Sequence, residues 1–253
     1  MGFIALNEMN QDKRFDIKAL IYGNAGVGKT HMCGTYSKGP VCVYCFDPGG
    51  WKSLYNSSNS GNISVADFVE TDVTSPIAFK HFWDQLQADG KRGLFAELAE
   101  KNGILAVDSL STLSIAALAY AIRQDNKPYD SQPELKHYGK QAAYLRQLMQ
   151  TITSMPCAVI LTAHIDYEKN KDGAIIKAYP AVTGKFKTVI SQFFDEMWLL
   201  DIKADKYLLD FRGNEIFSAK SRVINPAKEG QRRIATFSLD KLYEHYMEGK
   251  PIE

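Results

Sequence analysis

The segment Gly23-Asn24-Ala25-Gly26-Val27-Gly28-Lys29-Thr30 constrains this chain more than any other stretch of it. Its spacing is G-x-x-x-x-G-K-S/T. It follows the apolar run Lys18-Ala19-Leu20-Ile21-Tyr22 and leads into a helical pattern from Lys29 to Tyr36. A strand, a glycine-rich turn and a helix in that order curl backbone N–H groups around an anion and set a helix N-terminus behind it. Such a loop is expected to cradle the phosphates of ATP with Gly23 to Thr30 and the following His31. Lys29 is expected to reach the β- and γ-phosphates, and the Thr30 hydroxyl to ligate Mg²⁺.

The rest of the chain supplies a sheet for that loop. Val41–Phe46, Gly103–Asp108 and Cys157–His164 are short apolar runs that alternate with helical stretches, as in a parallel sheet covered on both faces. Phe194–Leu200 and Lys206–Phe211 read as a late antiparallel pair. The fold class is therefore α/β: a P-loop NTPase with a mostly parallel central sheet, helices on both faces and an antiparallel C-terminal edge. Ile77–Leu98 is expected to be helical with a break near Asp89-Gly90, and Thr112–Arg123 and Leu135–Ser154 to be helices. Residues 52–63, 124–134 and 166–186 are expected to be loops. Residues 1–253 are read as one domain, with 1–17 a polar lead-in and 219–253 a C-terminal extension.

A net charge of +1 and 45% hydrophobic content fit an ordinary globular protein and give no global sign of a nucleic-acid partner. No apolar run of about 18 residues and no signal-peptide pattern is present, so neither a membrane span nor secretion is expected. Cys42 and Cys45 form a C-x-x-C in a strand, where positions three apart face opposite ways, so core cysteines are expected rather than a metal site.

Three polar residues end sheet strands, and ligands of open α/β sheets sit beyond the carboxyl ends of strands. Asp108 is the candidate acid for Mg²⁺. Its competing role is helix N-cap, which Ser109 or Ser111 can fill instead. His164 is a candidate γ-phosphate sensor or water-orienting group, with Thr162 on the same face. Asp47 is a candidate catalytic carboxylate, against a plain turn-forming role before Pro48. Asp195 and Glu196 are later alternatives, with Asp195 reading as structural.

Five blocks in order then carry a family likeness: Tyr22–Thr30, Phe46-Asp47-Pro48-Gly49-Gly50-Trp51, Leu105–Ser111, Leu161-Thr162-Ala163-His164, and Pro180–Lys185 followed by Phe194-Asp195-Glu196. The chain resembles the phage RecA-like ATPases of the AAA-domain or nucleotide-binding type, some of which are single-strand annealing proteins. That resemblance implies a RecA-like core, DNA-linked ATP hydrolysis in phage recombination or replication, a homo-oligomer, single-stranded DNA and other phage proteins as partners, and the host cytoplasm as location. It places DNA-contacting loops at 124–134 and 166–186. Basic residues gather in the second of these and again at 219–233. Lys185, or Arg222, is the candidate finger reaching a neighbouring subunit's γ-phosphate. One departure stands out: the family's glutamate near Asp47 is replaced by glycine, which leaves the water-activating group open. A non-catalytic nucleotide switch, a packaging or loading ATPase and a small-molecule kinase are the alternatives.

Overall fold

The computed structural model describes residues 14–128, 131–204, 206–224, 233–235 and 238–252. The strands are β1 (Lys18–Tyr22), β2 (Val41–Cys45), β3 (Ile63–Asp67), β4 (Ile104–Asp108), β5 (Ala158–Ala163), β6 (Ile165–Lys169), β7 (Ile175–Pro180), β8 (Glu196–Lys203), β9 (Lys206–Asp210) and β10 (Arg233–Ala235). The helices are α1 (Lys29–Cys33), α2 (Ala78–Lys91), α3 (Leu94–Glu100), α4 (Leu110–Arg123), α5 (Leu135–Thr153) and α6 (Leu239–Glu248). The main sheet has the order β10-β9-β8-β1-β5-β4-β2-β3. From β3 to β8 every pairing is parallel, and β9 and β10 add an antiparallel edge.

β1 lies between β5 and β8, so both its edges are paired, and a hydrophobic core covers each of its faces. Ala19 and Ile21 pack into one core with Met32, Trp198 and Leu242. Leu20 and Tyr22 pack into the other with Phe82, Leu113 and Leu148. All four strand residues are fully buried, which explains why the segment reads as an unbroken apolar run rather than an alternating one. The loop that follows β1 therefore starts from a fully buried strand in the middle of the sheet.

Several expectations are corrected. Residues 166–186 are not simply a loop: β6 and β7 form an antiparallel hairpin with the turn Asn170–Ala174. Asn170 Oδ1 accepts the N–H groups of Asp172 at 3.0 Å and Ala174 at 2.9 Å, and so builds the turn. The hairpin exposes most of both faces, so its sequence lacks the one-sided apolar alternation that marks a half-buried strand. The stretch 52–63 contains short 3-10 turns and runs into β3, an edge strand.

α2 continues through Asp89-Gly90 because Asp89 is buried and tied to Gln85 at 2.9 Å and Arg92 at 2.9 Å, and it also accepts from the Tyr44 hydroxyl. The break falls at Arg92-Gly93 instead. In the lead-in, Phe15 and Ile17 are core residues, 1% and 2% exposed. The Phe15 ring meets Tyr36 at 5.7 Å and Tyr243 of α6 at 5.1 Å. α6 is also tied to the segment after α1, where the Ser37 N–H donates to Asp240 at 2.6 Å.

Candidate nucleotide site

The glycine-rich loop sits at the carboxyl edge of the sheet, fixed to β5 by the Gly23 N–H on the Ala163 carbonyl at 3.2 Å. Val27 is buried and anchors its far side, while Asn24, Ala25 and Gly26 face solvent. A Cβ on Gly23 would stand 2.2 Å from the Leu200 carbonyl oxygen of β8, a backbone atom with no room to retreat. A Cβ on Gly26 would meet nothing within 4 Å, although its φ is +79°. Gly23→Ala should therefore cost about 3 kcal/mol through overpacking, a fall in Tm of roughly 6–12 °C. Gly26→Ala should cost only the left-handed penalty of about 1–2 kcal/mol. Thermal unfolding of the two variants checks this, and equal losses would refute the packing argument.

Lys29 is 6% exposed. Its Nζ donates to the carbonyls of Gly23 at 3.0 Å and Asn24 at 2.7 Å. Burial pushes its pKa down, while Asp108 and Asp47 pull it up. Thr30 Oγ1 donates to Asp108 Oδ2 at 2.7 Å. Thr162 Oγ1 donates to the other carboxylate oxygen of Asp108. Asp108 is 1% exposed. Burial pushes its pKa up against those two hydroxyls. The N-cap of α4 is Ser109, whose Oγ accepts from the Thr112 N–H at 3.3 Å, so Asp108 is free of that task.

Asp47, beyond β2, accepts at Oδ1 from Ser109 Oγ at 2.8 Å and from Thr112 Oγ1. Its Oδ2 lies 3.4 Å from His164 Nε2. The His164 N–H donates to Ser111 Oγ at 2.9 Å. A cavity of about 320 Å³ joins these pieces: Ala25, Gly26, Gly28, Lys29, Thr30, His31, Asp47, Asp108 and His164 all line it. A larger cavity, about 660 Å³, lies at the other end of β1 beside Lys18, Asp195 and Arg222, away from the phosphate loop.

The cavity thus gathers the loop, Asp47, Asp108 and His164, while Arg222 and Glu196 are elsewhere. Arg222 pairs with Asp195 at 2.8 Å at the opposite end of the sheet. Glu196 is buried and accepts the N–H groups of Arg222 at 2.9 Å and Val223 at 3.0 Å. The side chains of Lys185, Lys228, Arg232 and Arg233 lie outside the described residues. Sequence reasoning did not identify the clamp on Asp47 or the bond from Asn24 Nδ2 to the Tyr167 hydroxyl at 3.2 Å. Its one readable signal was Ser109 and Thr112, three apart on the first turn of α4.

Among the described residues no cluster of three or more metal-binding side chains exists. The donors at the loop are instead the Thr30 hydroxyl and the Asp108 carboxylate oxygen it is hydrogen-bonded to, 2.7 Å apart. That hard, sparse oxygen set fits Mg²⁺, which keeps waters and takes further oxygens from phosphates.

A family model described as AAA domain matches residues 16–223. No curated protein sequence matches the chain. A KaiC-like protein from the hyperthermophilic archaeon Pyrococcus horikoshii OT3 aligns over 78% of each chain at 14% identity, with a TM-score of 0.42. A prototypical ATPase from the type III secretion system of pathogenic bacteria aligns at 13% identity with a TM-score of 0.50, over 73% of this chain and 51% of that one. That likeness concerns the fold alone. Among the described residues no helix is long and apolar enough to cross a membrane.

Proposed function

The chain belongs to the AAA-domain family of P-loop ATPases, and on that premise we propose that it binds and hydrolyses Mg·ATP and ties hydrolysis to single-stranded DNA. The observation that carries the reading is the meeting of Lys29, Thr30 and Asp108 in one cavity at the carboxyl edge of the sheet. The loop N–H groups and the N-terminus of α1 take the phosphates. Lys29 exchanges two neutral carbonyl acceptors for phosphate oxygens. Thr30 and Asp108 would hold Mg²⁺, which would supply positive charge to offset the negative charge that develops on the phosphates as ADP leaves. Asp47 and His164 line the same cavity.

Lys29 is the one lysine or arginine among the described residues lining the cavity. A further cation from a neighbouring copy would complete the charge balance, and Lys185 or Arg222 is the candidate. This favours a homo-oligomer with ATP at its subunit boundary. The chain is read as one ATPase domain, and the resemblance to phage RecA-like proteins supports work in recombination, replication or strand annealing.

The DNA part of the reading rests on the β6–β7 hairpin. It carries exposed Lys169, Lys171 and Lys177. It also carries Tyr167, 37% exposed, whose hydroxyl reaches Asn24 in the phosphate loop. Cations and an aromatic face on one projecting element suit a single strand, and its root touches the nucleotide loop. Single-stranded DNA is expected to raise the ATPase rate. Replacing the three lysines by alanine should remove that increment and flatten the salt dependence of binding by about 0.7 in log–log slope per lost phosphate contact. A rate indifferent to DNA, with tight ATP binding and negligible turnover, would favour a nucleotide switch instead.

A further inference from the structure

Asp47 looks at first like the substitute for the glutamate that the turn after β2 lacks, but its oxygens are already engaged. Oδ1 accepts two hydroxyl hydrogen bonds, from Ser109 and Thr112, which uses both of its lone pairs. Oδ2 faces His164 Nε2 at 3.4 Å. Catalytic hydrogen bonds of this kind are often long before substrate tightens the site. A carboxylate held in that way is a poor proton acceptor and a good anchor.

His164 has the opposite character. Its side chain is 40% exposed against 23% for Asp47. It lines the nucleotide cavity and also a second one of about 390 Å³, with Ser111, Thr112, Asp166 and Lys187 in its wall. It stands at the partition between the phosphate loop and that second cavity, with its backbone N–H pinned to Ser111. The charged groups around the two cavities are Asp47 from the turn after β2, Asp108 of β4, Lys29 of α1, Asp166 of β6 and Lys187 of the turn after β7.

We propose that His164 orients and deprotonates the water that attacks ATP, and that Asp47, clamped by Ser109 and Thr112, is the positioning residue that holds the His164 ring. This rests on the hydrolytic reading given above. The water oxygen forms its bond to the γ-phosphorus as the bond to the β–γ bridging oxygen breaks, and the electron pair of that bond leaves with ADP. The water proton passes to the free ring nitrogen, Nδ1, while Nε2–H stays directed at Asp47. The proton then leaves to solvent from the exposed edge of the ring. The products are ADP, orthophosphate and one proton.

The test uses the full-length chain, Mg·ATP, and the variants Asp47→Asn, His164→Asn, their combination, Thr112→Val and Thr112→Ser. Either single change in the pair should lower kcat by about 10²–10³-fold with KM for ATP essentially unchanged. The combination should be no worse than the more severe single variant, because the two act as one unit. Thr112→Val should cost about 10-fold in kcat, and Thr112→Ser should restore it. A ring-nitrogen NMR measurement at alkaline pH adds a readout independent of turnover. The wild-type His164 should carry its proton on Nε2. Asp47→Asn, which turns an amide NH₂ toward that nitrogen, should move the proton to Nδ1. An unmoved tautomer, losses that multiply in the double variant, or near-normal turnover in His164→Asn with an inactive Asp47→Asn would each overturn the proposal. Wild-type protein that binds ATP and never turns it over would instead overturn the hydrolytic reading itself.

Discussion

Lys29→Ala should weaken ATP binding by roughly 10²–10³-fold, the loss that follows when one member of a buried charge pair is removed, and turnover should fall below detection. The reasoning starts from burial. Lys29 is almost wholly enclosed, and the acceptors it holds in the protein are two neutral carbonyls of its own loop. A phosphate oxygen is a far stronger acceptor for an ammonium than a carbonyl, so the binding energy is concentrated in that exchange. Folding should survive, because alanine keeps the Cβ and removes a cation that burial disfavours. Equilibrium titration with ATP, read beside a thermal melt, separates the two effects. ATP affinity retained in a well-folded Lys29→Ala protein would remove the nucleotide site from this loop.

The second large effect is expected at Asp108 and runs in two directions at once. Asp108→Asn should abolish Mg²⁺-dependent turnover by about 10²–10³-fold, as loss of a fixed electrostatic partner does. It should also make the nucleotide-free protein more stable at neutral pH. The folded-state pKa of Asp108 is raised: burial and, less strongly, the charge of Asp47 push it up and outweigh the Thr162 and Thr30 hydroxyls and the Lys29 cation. A group shifted that way favours folding while it is protonated, and that contribution is lost as pH rises through the folded pKa. The wild type should therefore lose stability relative to Asp108→Asn on going from acid to neutral pH. The two melting curves should converge below the ordinary carboxylate value of 3.8. Asparagine keeps the shape, and both threonine hydroxyls can rotate to serve it. A lower Tm for Asp108→Asn at pH 7 would mean that the carboxylate stabilises the fold rather than straining it.

What was legible in the sequence follows from how each feature is encoded. The parallel strands were readable because burial on both faces leaves an unbroken apolar run, as in β1, β4 and β5. The loop was readable because its chemistry is local: eight consecutive residues hold the glycines, the lysine and the threonine. β3 and the β6–β7 hairpin were harder to see. An edge strand and a projecting hairpin are held by backbone pairing, and pairing leaves little trace in residue type. The Asp47 clamp left only the spacing of its two hydroxyl residues as a trace, for another reason. Its hydroxyls come from positions 109 and 112, more than 60 residues away, and only the parallel register that sets Cys45 beside Asp108 brings them to Asp47.

The contact between Gly23 and Leu200 has a consequence for how such motifs are used as evidence. The first glycine of the loop is required by the neighbouring strand β8 before any phosphate is bound. A descendant of this chain that had given up nucleotides would be free to change Lys29 and Thr30, yet it would still need glycine at 23 for its sheet to close. Retention of that glycine therefore reports an intact architecture, and only the lysine and threonine report a living ligand site.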